Sequence, residues 1–89
     1  MANSVQESER HLYVTGKQFK WNYSLERLLN FLQVEFDFTK WSLTKQDDKV
    51  AVIKGTNVTV NWYKSTKTLQ IQGADEQLVK RHFDQLIFT

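Results

Sequence analysis

The sequence contains no cysteine among its 89 residues, which excludes a disulfide scaffold, a thiolate zinc site and a cysteine nucleophile. It has only three glycines, and it contains neither a glycine-rich phosphate loop nor a nucleophile elbow. No apolar stretch is long enough to span a bilayer, and residues 1–9 lack the apolar centre of a signal peptide. We therefore expect an intracellular protein, cytoplasmic or nuclear, that is not an enzyme, needs no cofactor and binds no membrane.

The chain is long enough for one domain with a modest core. Surface scaling predicts that roughly 64% of the extended chain's surface is buried on folding, and 40% of the residues are hydrophobic. Residues 1–9 are polar and show no period, so we expect a flexible lead followed by a single α+β domain over residues 10–89. The net charge of +2 and the pI near 9.0 are compatible with a polyanionic partner but do not by themselves indicate one.

Hydrophobic periodicity predicts the order of the elements. Residues 10–15 alternate between apolar and polar side chains, which predicts a strand. From Ser24 onward apolar residues recur every three or four positions, which predicts a helix whose first turn is capped by the Ser24 hydroxyl. Residues 41–72 alternate with a period of two through four segments, and a second helical stripe follows Asp75. The prediction is strand, helix, four strands, helix, with one curved antiparallel sheet and both helices on one face.

Alternation also assigns residues to the two faces of the predicted sheet. The face against the helices receives Leu12, Val14, Trp41, Leu43, Val50, Val52, Val58, Val60, Trp62, Leu69 and Ile71. The helix-free face receives His11, Tyr13, Ser42, Thr44, Ala51, Ile53, Thr59, Asn61, Tyr63, Thr68, Gln70 and Gln72. Lys49, Lys54, Lys64 and Lys67 are predicted at its rim.

The helix-free face combines side chains that suit a nucleic acid. Amides and hydroxyls bind base edges or sugars, aromatic rings stack on bases, and lysines bind phosphates. The same composition is also typical of a strand face that is simply solvated, because threonine and tyrosine favour strands. Both interpretations stay open on the sequence alone.

The segment NVTVNWYKSTKTLQIQGA, residues 57–74, carries a resemblance to a known family. It resembles the final hairpin of one repeat of the TATA-box-binding-protein fold, also found in the amino-terminal domain of type HIII ribonucleases. The predicted element order resembles the same repeat over residues 10–87. The resemblance implies that nucleic acid, DNA or RNA, binds the sheet face opposite the helices. A full saddle in that family has two repeats, so a single repeat predicts a homodimer or a short binding site.

Carried onto this chain, the resemblance implies that the binding strands present Thr59, Asn61, Tyr63, Gln70 and Gln72. The turn lysines Lys64 and Lys67 are predicted to reach phosphates. Residues 17–23, predicted as a loop, interleave basic and aromatic side chains, which predicts phosphate and base contacts for Lys20 and Trp21. The alternative for Trp21 is a core residue that fixes the start of the helix.

Two further pairs of residues, one of histidines and one of aspartates, have side chains that occur in catalytic and metal sites. A catalytic pair of His11 and His82 is not favoured, because the predicted sheet separates the two imidazoles. Asp47 and Asp48 are interpreted as a solvated turn rather than a metal site, since no third ligand accompanies them. The alternative function is a protein-interaction or adaptor domain that uses the same face or a sheet edge.

Overall fold

The computed structural model describes residues 11–88, so the predicted flexible lead and residue 10 of the first strand lie outside the described residues. Over these residues the chain forms an α+β domain with one six-stranded antiparallel sheet, in the order β1-β2-β6-β5-β4-β3, and two helices. The elements are β1 (Leu12–Thr15), β2 (Gln18–Trp21), α1 (Leu25–Glu35), β3 (Ser42–Gln46), β4 (Val50–Lys54), β5 (Thr59–Tyr63), β6 (Thr68–Gln72) and α2 (Glu76–Phe88).

Both helices pack on the same face of the sheet, as predicted. Leu28 and Leu32 of α1 and Val79 and Phe83 of α2 are fully buried in one core with the sheet. Helix α1 begins as predicted, because Ser24 Oγ accepts a hydrogen bond from the Arg27 N–H at 3.2 Å. The opposite face of the sheet carries no helix of the described chain.

An additional strand, β2, corrects the predicted element order. The segment predicted as a loop pairs with β1 through a two-residue turn at Gly16, whose φ of +63° suits a tight hairpin. It also pairs with β6, so that it lies inside the sheet. Phe19 and Trp21 alternate with Gln18 and Lys20 and face the core, a period-two signal that the prediction of a loop did not use.

The predicted phase of β4 is wrong by one residue. Ala51 and Ile53 are fully buried, whereas Val50 and Val52, predicted as core residues, are half-buried on the helix-free face. All four side chains are apolar, so hydrophobicity alone does not choose between the two faces. The pairing with β5 determines which residues of β4 face the core, because the small side chain of Ala51 stands opposite Trp62 and leaves room for the indole ring.

Two leucines of the predicted apolar patterns are exposed, Leu43 of the sheet face against the helices and Leu78 of the helical stripe that follows Asp75. Leu43 lies on the edge strand β3, which has a bulge between residues 43 and 45, and it is 38% exposed. Leu78 of α2 is 52% exposed, because Val79 and Phe83 carry the buried face of that helix.

The three tryptophans tie the core to the backbone. Trp41 and Trp62 are buried, as predicted, and Trp21 joins them. Each indole N–H donates to a carbonyl oxygen: Trp41 to Phe36 at 3.0 Å, Trp62 to Trp21 at 3.0 Å and Trp21 to Ser24 at 3.1 Å. These bonds satisfy the one polar group that each ring would otherwise bury unpaired.

Gly73 allows the chain to pass from β6 to α2. Its φ is +118°, and a Cβ at this position would lie 2.5 Å from the Asn57 carbonyl oxygen. The same carbonyl accepts the Asp75 N–H at 3.0 Å, just before α2 begins. Only glycine therefore fits this close crossing without a shift of the backbone.

The turn between β3 and β4 is organised by Asp47. Its carboxylate accepts the N–H groups of Lys49 at 2.8 Å and Val50 at 2.9 Å. The bonds from Val50 and Lys49, with the nearby charges of Lys45 and Lys64, hold the pKa of this carboxyl below its ordinary value of 3.8. The predicted interpretation of this segment as a turn is confirmed.

We expect Asp47→Asn to remove part of the acid sensitivity of the fold. Because the pKa is lowered on folding, the carboxylate stabilises the native state above pH 3.8, and this contribution disappears as the pH falls through the lower native value. Melting temperatures of the wild type and the variant should therefore differ most near neutral pH and converge in acid. Asp48→Asn, which removes a charge from the same turn but keeps both Asp47 bonds, is the control. A constant difference at every pH would contradict the prediction.

Candidate nucleic-acid interface

The helix-free surface of the sheet, called the open face below, consists of three rows of side chains on neighbouring strands. Cross-strand pairing places the members of each row directly opposite one another. The first row is Tyr13, Lys20, Thr68, Tyr63 and Val50; the second is Gln70, Asn61, Val52 and Lys45; the third is Gln72, Thr59, Lys54 and Ser42.

Hydrogen bonds hold two functional groups of the first row in place. Lys20 Nζ donates to the Thr66 carbonyl oxygen at 3.0 Å and to Thr68 Oγ1 at 2.9 Å. Tyr63 Oη donates a hydrogen bond to Gln70 Oε1 at 2.9 Å, which fixes the phenol against the neighbouring strand. The ammonium and the ring therefore have defined positions before any ligand binds, which lowers the entropy cost of using them.

The strands carry charge of one sign. No aspartate or glutamate lies on any of the six described strands, and their three lysines are Lys20, Lys45 and Lys54. The pairings place all three on the open face. An anion that approaches this surface meets no carboxylate on the strands themselves.

The charge difference extends to the connections. Residues 12–21 and 42–72, which form the strands and hairpin turns, contain seven lysines and two aspartates. Residues 22–41 and 73–88, which form the helices and their flanks, contain six carboxylates and four basic side chains. The modest net charge of the whole chain therefore conceals a basic sheet layer and a mildly acidic helix layer.

Six of the nine predicted site residues lie on the open face. They are Lys20, Thr59, Asn61, Tyr63, Gln70 and Gln72. Thr59 and Gln72 stand opposite each other, as do Asn61 and Gln70, so the structure brings the predicted strand residues together in adjacent rows.

The predicted role of Trp21 in stacking on a base is wrong. Trp21 lies on β2 rather than in a loop, and only 2% of it is exposed. Its bond to the carbonyl of Ser24, the residue that caps α1, supports the alternative interpretation of a core residue that fixes the start of the helix.

Lys67 does not extend the open face as predicted. Lys67 adopts a positive φ of 66°, and its Nζ lies 5.7 Å from the centroid of the Trp62 ring, on the side that carries the helices. This cation–π contact holds its charge away from the open face. Lys64 is half-buried in the same turn and lies near the Asp47 carboxylate.

Sequence alternation placed Ser42 on this surface but not Lys45, Val50 and Val52. Lys45 stands opposite Val52 in the second row, and Lys54, the last residue of β4, stands opposite Thr59 in the third row, at the end of the surface. The signal that would have found them is the size match of Ala51 with Trp62, which fixes the phase of β4. With that phase, Val50 and Val52 add an apolar strip to the open face.

His11 does not lie on the open face as predicted. His11 precedes β1 and stacks on Tyr23 with a centroid distance of 4.1 Å, and it lines a small cavity with residues of α1 rather than facing the open face. His82 Nε2 lies 3.0 Å from Glu35 Oε1 and links the two helices. Both imidazoles therefore make contacts that position secondary structure.

A cleft opens beside β6, where β2 diverges from it. Its volume is about 660 Å³, and Lys17, Gln18, Phe19, Tyr63, Thr68, Leu69, Gln70, Ile71, Gln72, Glu76 and Lys80 line it. Tyr63, Thr68, Gln70 and Gln72 belong also to the open face, so the cleft is continuous with that surface.

Comparison of the chain with protein-family models, curated proteins and solved structures gives no match. Neither helix of the described chain has the length and apolar character needed to cross a membrane. The geometry and charge of the open face are therefore the features that indicate a function.

Proposed function

We propose that this chain is a small, non-enzymatic nucleic-acid-binding module that uses the open face. The observation that carries the proposal is the charge distribution: the six strands hold no carboxylate, and their three lysines share one surface. Phosphate contacts dominate the affinity of most nucleic-acid-binding proteins, and described strands without carboxylates do not themselves repel those phosphates.

The remaining side chains of the open face supply the other contacts that such a ligand needs. Asn61, Gln70 and Gln72 offer amide donors and acceptors to base edges or sugars. Tyr63 is 38% exposed and offers a ring on which a base can stack. Charge, hydrogen bonding and stacking therefore occur within three neighbouring rows.

The proposal includes the resemblance to one repeat of the TATA-box-binding-protein fold. From β2 onward the elements follow the order strand, helix, four strands, helix, with β1 added at one edge. That family binds nucleic acid on the sheet face opposite the helices, and the same face carries the lysines here.

A double substitution tests the phosphate contacts. Lys45→Ala/Lys54→Ala should weaken binding to labelled DNA and RNA and flatten the plot of log affinity against log salt by about 1 to 2 units, because two phosphate contacts are lost. The control is Arg27→Ala/Arg81→Ala, which removes the same charge from exposed positions on the helices. Fluorescence anisotropy at several salt concentrations measures both. Equal effects of the two double variants would contradict the use of the open face.

A protein-interaction domain is the second candidate. The observation that favours it is β3, which lies at the edge of the sheet and is exposed over all five residues. A partner strand, or a second copy of this chain, would add there. If the lysine double variant kept its nucleic-acid affinity but lost a protein partner, this candidate would replace the first.

A further inference from the structure

The cleft beside β6 exists because the pairing of β2 with β6 stops early. Only two pairs join these strands, Phe19 with Leu69 and Lys20 with Thr68. The chain then turns at Gly16 into β1, so the tip of the β1–β2 hairpin does not continue along β6. The last part of β6 is left without a neighbour on that side among the described residues.

The open edge of β6 presents main-chain groups to this cleft. The Trp21 N–H donates to the Lys67 carbonyl at 2.9 Å, which shows that Lys67, and by alternation Leu69 and Ile71, direct their peptide groups toward β2. Leu69 finds its partner in Phe19, but Ile71 has none on β2. Among the described residues, the N–H and C=O of Ile71 therefore have no strand partner on that side.

The rest of the lining combines an apolar base with a polar rim. Phe19, Leu69 and Ile71 are nearly buried and contribute apolar surface. Gln18, Gln70 and Gln72 contribute amides, and Tyr63 contributes a ring. Lys17 and Lys80 contribute positive charge, although Lys80 also pairs with Glu76 at 2.9 Å.

This combination matches an unpaired nucleobase and its phosphate. A base has flat apolar faces and an edge of adjacent donors and acceptors, which suit the apolar lining and the amides. The volume of about 660 Å³ lies within the range of about 300–1,000 Å³ typical of small-molecule sites. In a duplex the pairing edge of each base is occupied by its partner, so a paired base could not enter the cleft without being flipped out.

We propose that the cleft between β2 and β6 receives one unpaired base, so that the preferred ligand of this module is a single-stranded nucleic acid. This inference rests on the proposed function, since it places the rest of the strand along the open face. Tyr63 and Gln70, which belong to both the cleft and the open face, connect the two sites.

The test compares three probes by fluorescence anisotropy. They are an oligothymidylate of about ten nucleotides, within the range of about 4–16 covered by known single-strand sites, a hairpin duplex of equal charge, and an abasic oligomer of equal length. An oligouridylate arm distinguishes RNA from DNA. The single strand should bind about 10-fold tighter than the duplex and the abasic oligomer, because the stacking of one base on the protein raises the affinity by about a factor of 10.

Amide substitutions at the cleft make the test specific to this site. Gln18→Ala/Gln72→Ala should reduce single-strand affinity about 10-fold, because two hydrogen bonds are lost, and should weaken duplex affinity less, because Gln72 also contacts a duplex from the open face whereas Gln18 serves the cleft alone. Gln33→Ala/Gln85→Ala, at exposed glutamines of the two helices, is the matched control and should change neither. All four positions are exposed, so the variants should fold, and thermal melts check this.

The outcomes separate the inference from the function on which it rests. Duplex binding equal to or tighter than single-strand binding, with dependence on Lys45 and Lys54 retained, would overturn the cleft assignment and leave the proposed function intact. An equal loss for all probes in the amide double variant would also overturn it. Failure of every probe to bind at low salt would overturn the proposed function itself.

Discussion

Replacement of Trp62 by alanine should lower the free energy of unfolding by about 3–5 kcal/mol, whereas Tyr63→Ala should lower it by about 1 kcal/mol or less. Trp62 is 5% exposed, and its indole donates to the Trp21 carbonyl at 3.0 Å. Its loss leaves a cavity and an unpaired carbonyl on β2. Tyr63, the next residue, is on the open face and bonds only Gln70 there.

Urea unfolding followed by circular dichroism measures both variants. A loss of this size is a large part of the stability of a small domain, so Trp62→Ala should be partly unfolded at room temperature. If Tyr63→Ala were the more damaging change, the phase of β5 would be inverted and the open face would be the core.

Replacement of Ile53 by alanine should cost about 2–5 kcal/mol of unfolding free energy, and Val52→Ala should cost much less. Ile53 is fully buried and stands opposite Val60, which is fully buried too. Val52 lies on the open face between Asn61 and Lys45, where truncation leaves no internal cavity.

The pair Ile53 and Val52 tests the corrected phase of β4 directly, because sequence alternation predicts the reverse ranking. The measurement is the same urea titration, in which the two variants are compared by the urea concentration at half-unfolding, with the dependence of the unfolding free energy on urea unchanged. A larger loss from Val52→Ala would return Val52 to the core and remove Lys45 and Lys54 from the open face.

Sequence periodicity was sufficient for β5, β6 and α1. In β5 and β6, Val60, Trp62, Leu69 and Ile71 are separated by polar or amphipathic residues, and all four are buried as predicted. The apolar stripe of α1 and its N-cap at Ser24 were also predicted correctly, because both depend only on residues close in sequence. The antiparallel sheet with both helices on one face follows from these elements.

Periodicity failed where tertiary pairing decides the outcome. The run from Val50 to Ile53 is apolar at every position, so only its partner strand β5 selects the buried pair. Trp21 carries the same aromatic chemistry whether it stacks on a base or fills the core, and its place on β2 depends on distant β6. Lys67 points toward Trp62 because its backbone has a positive φ, a conformation that the sequence of the turn does not predict.

Amide chemical-shift mapping by NMR is the most direct test of the central claim that the open face binds nucleic acid. On addition of oligothymidylate at low salt, the largest changes should cluster at Lys20, Asn61 and Gln70 and at their neighbours in the three rows, while the amides of α1 and α2 change little. The largest changes on the two helices, or none anywhere in the chain, would contradict the account.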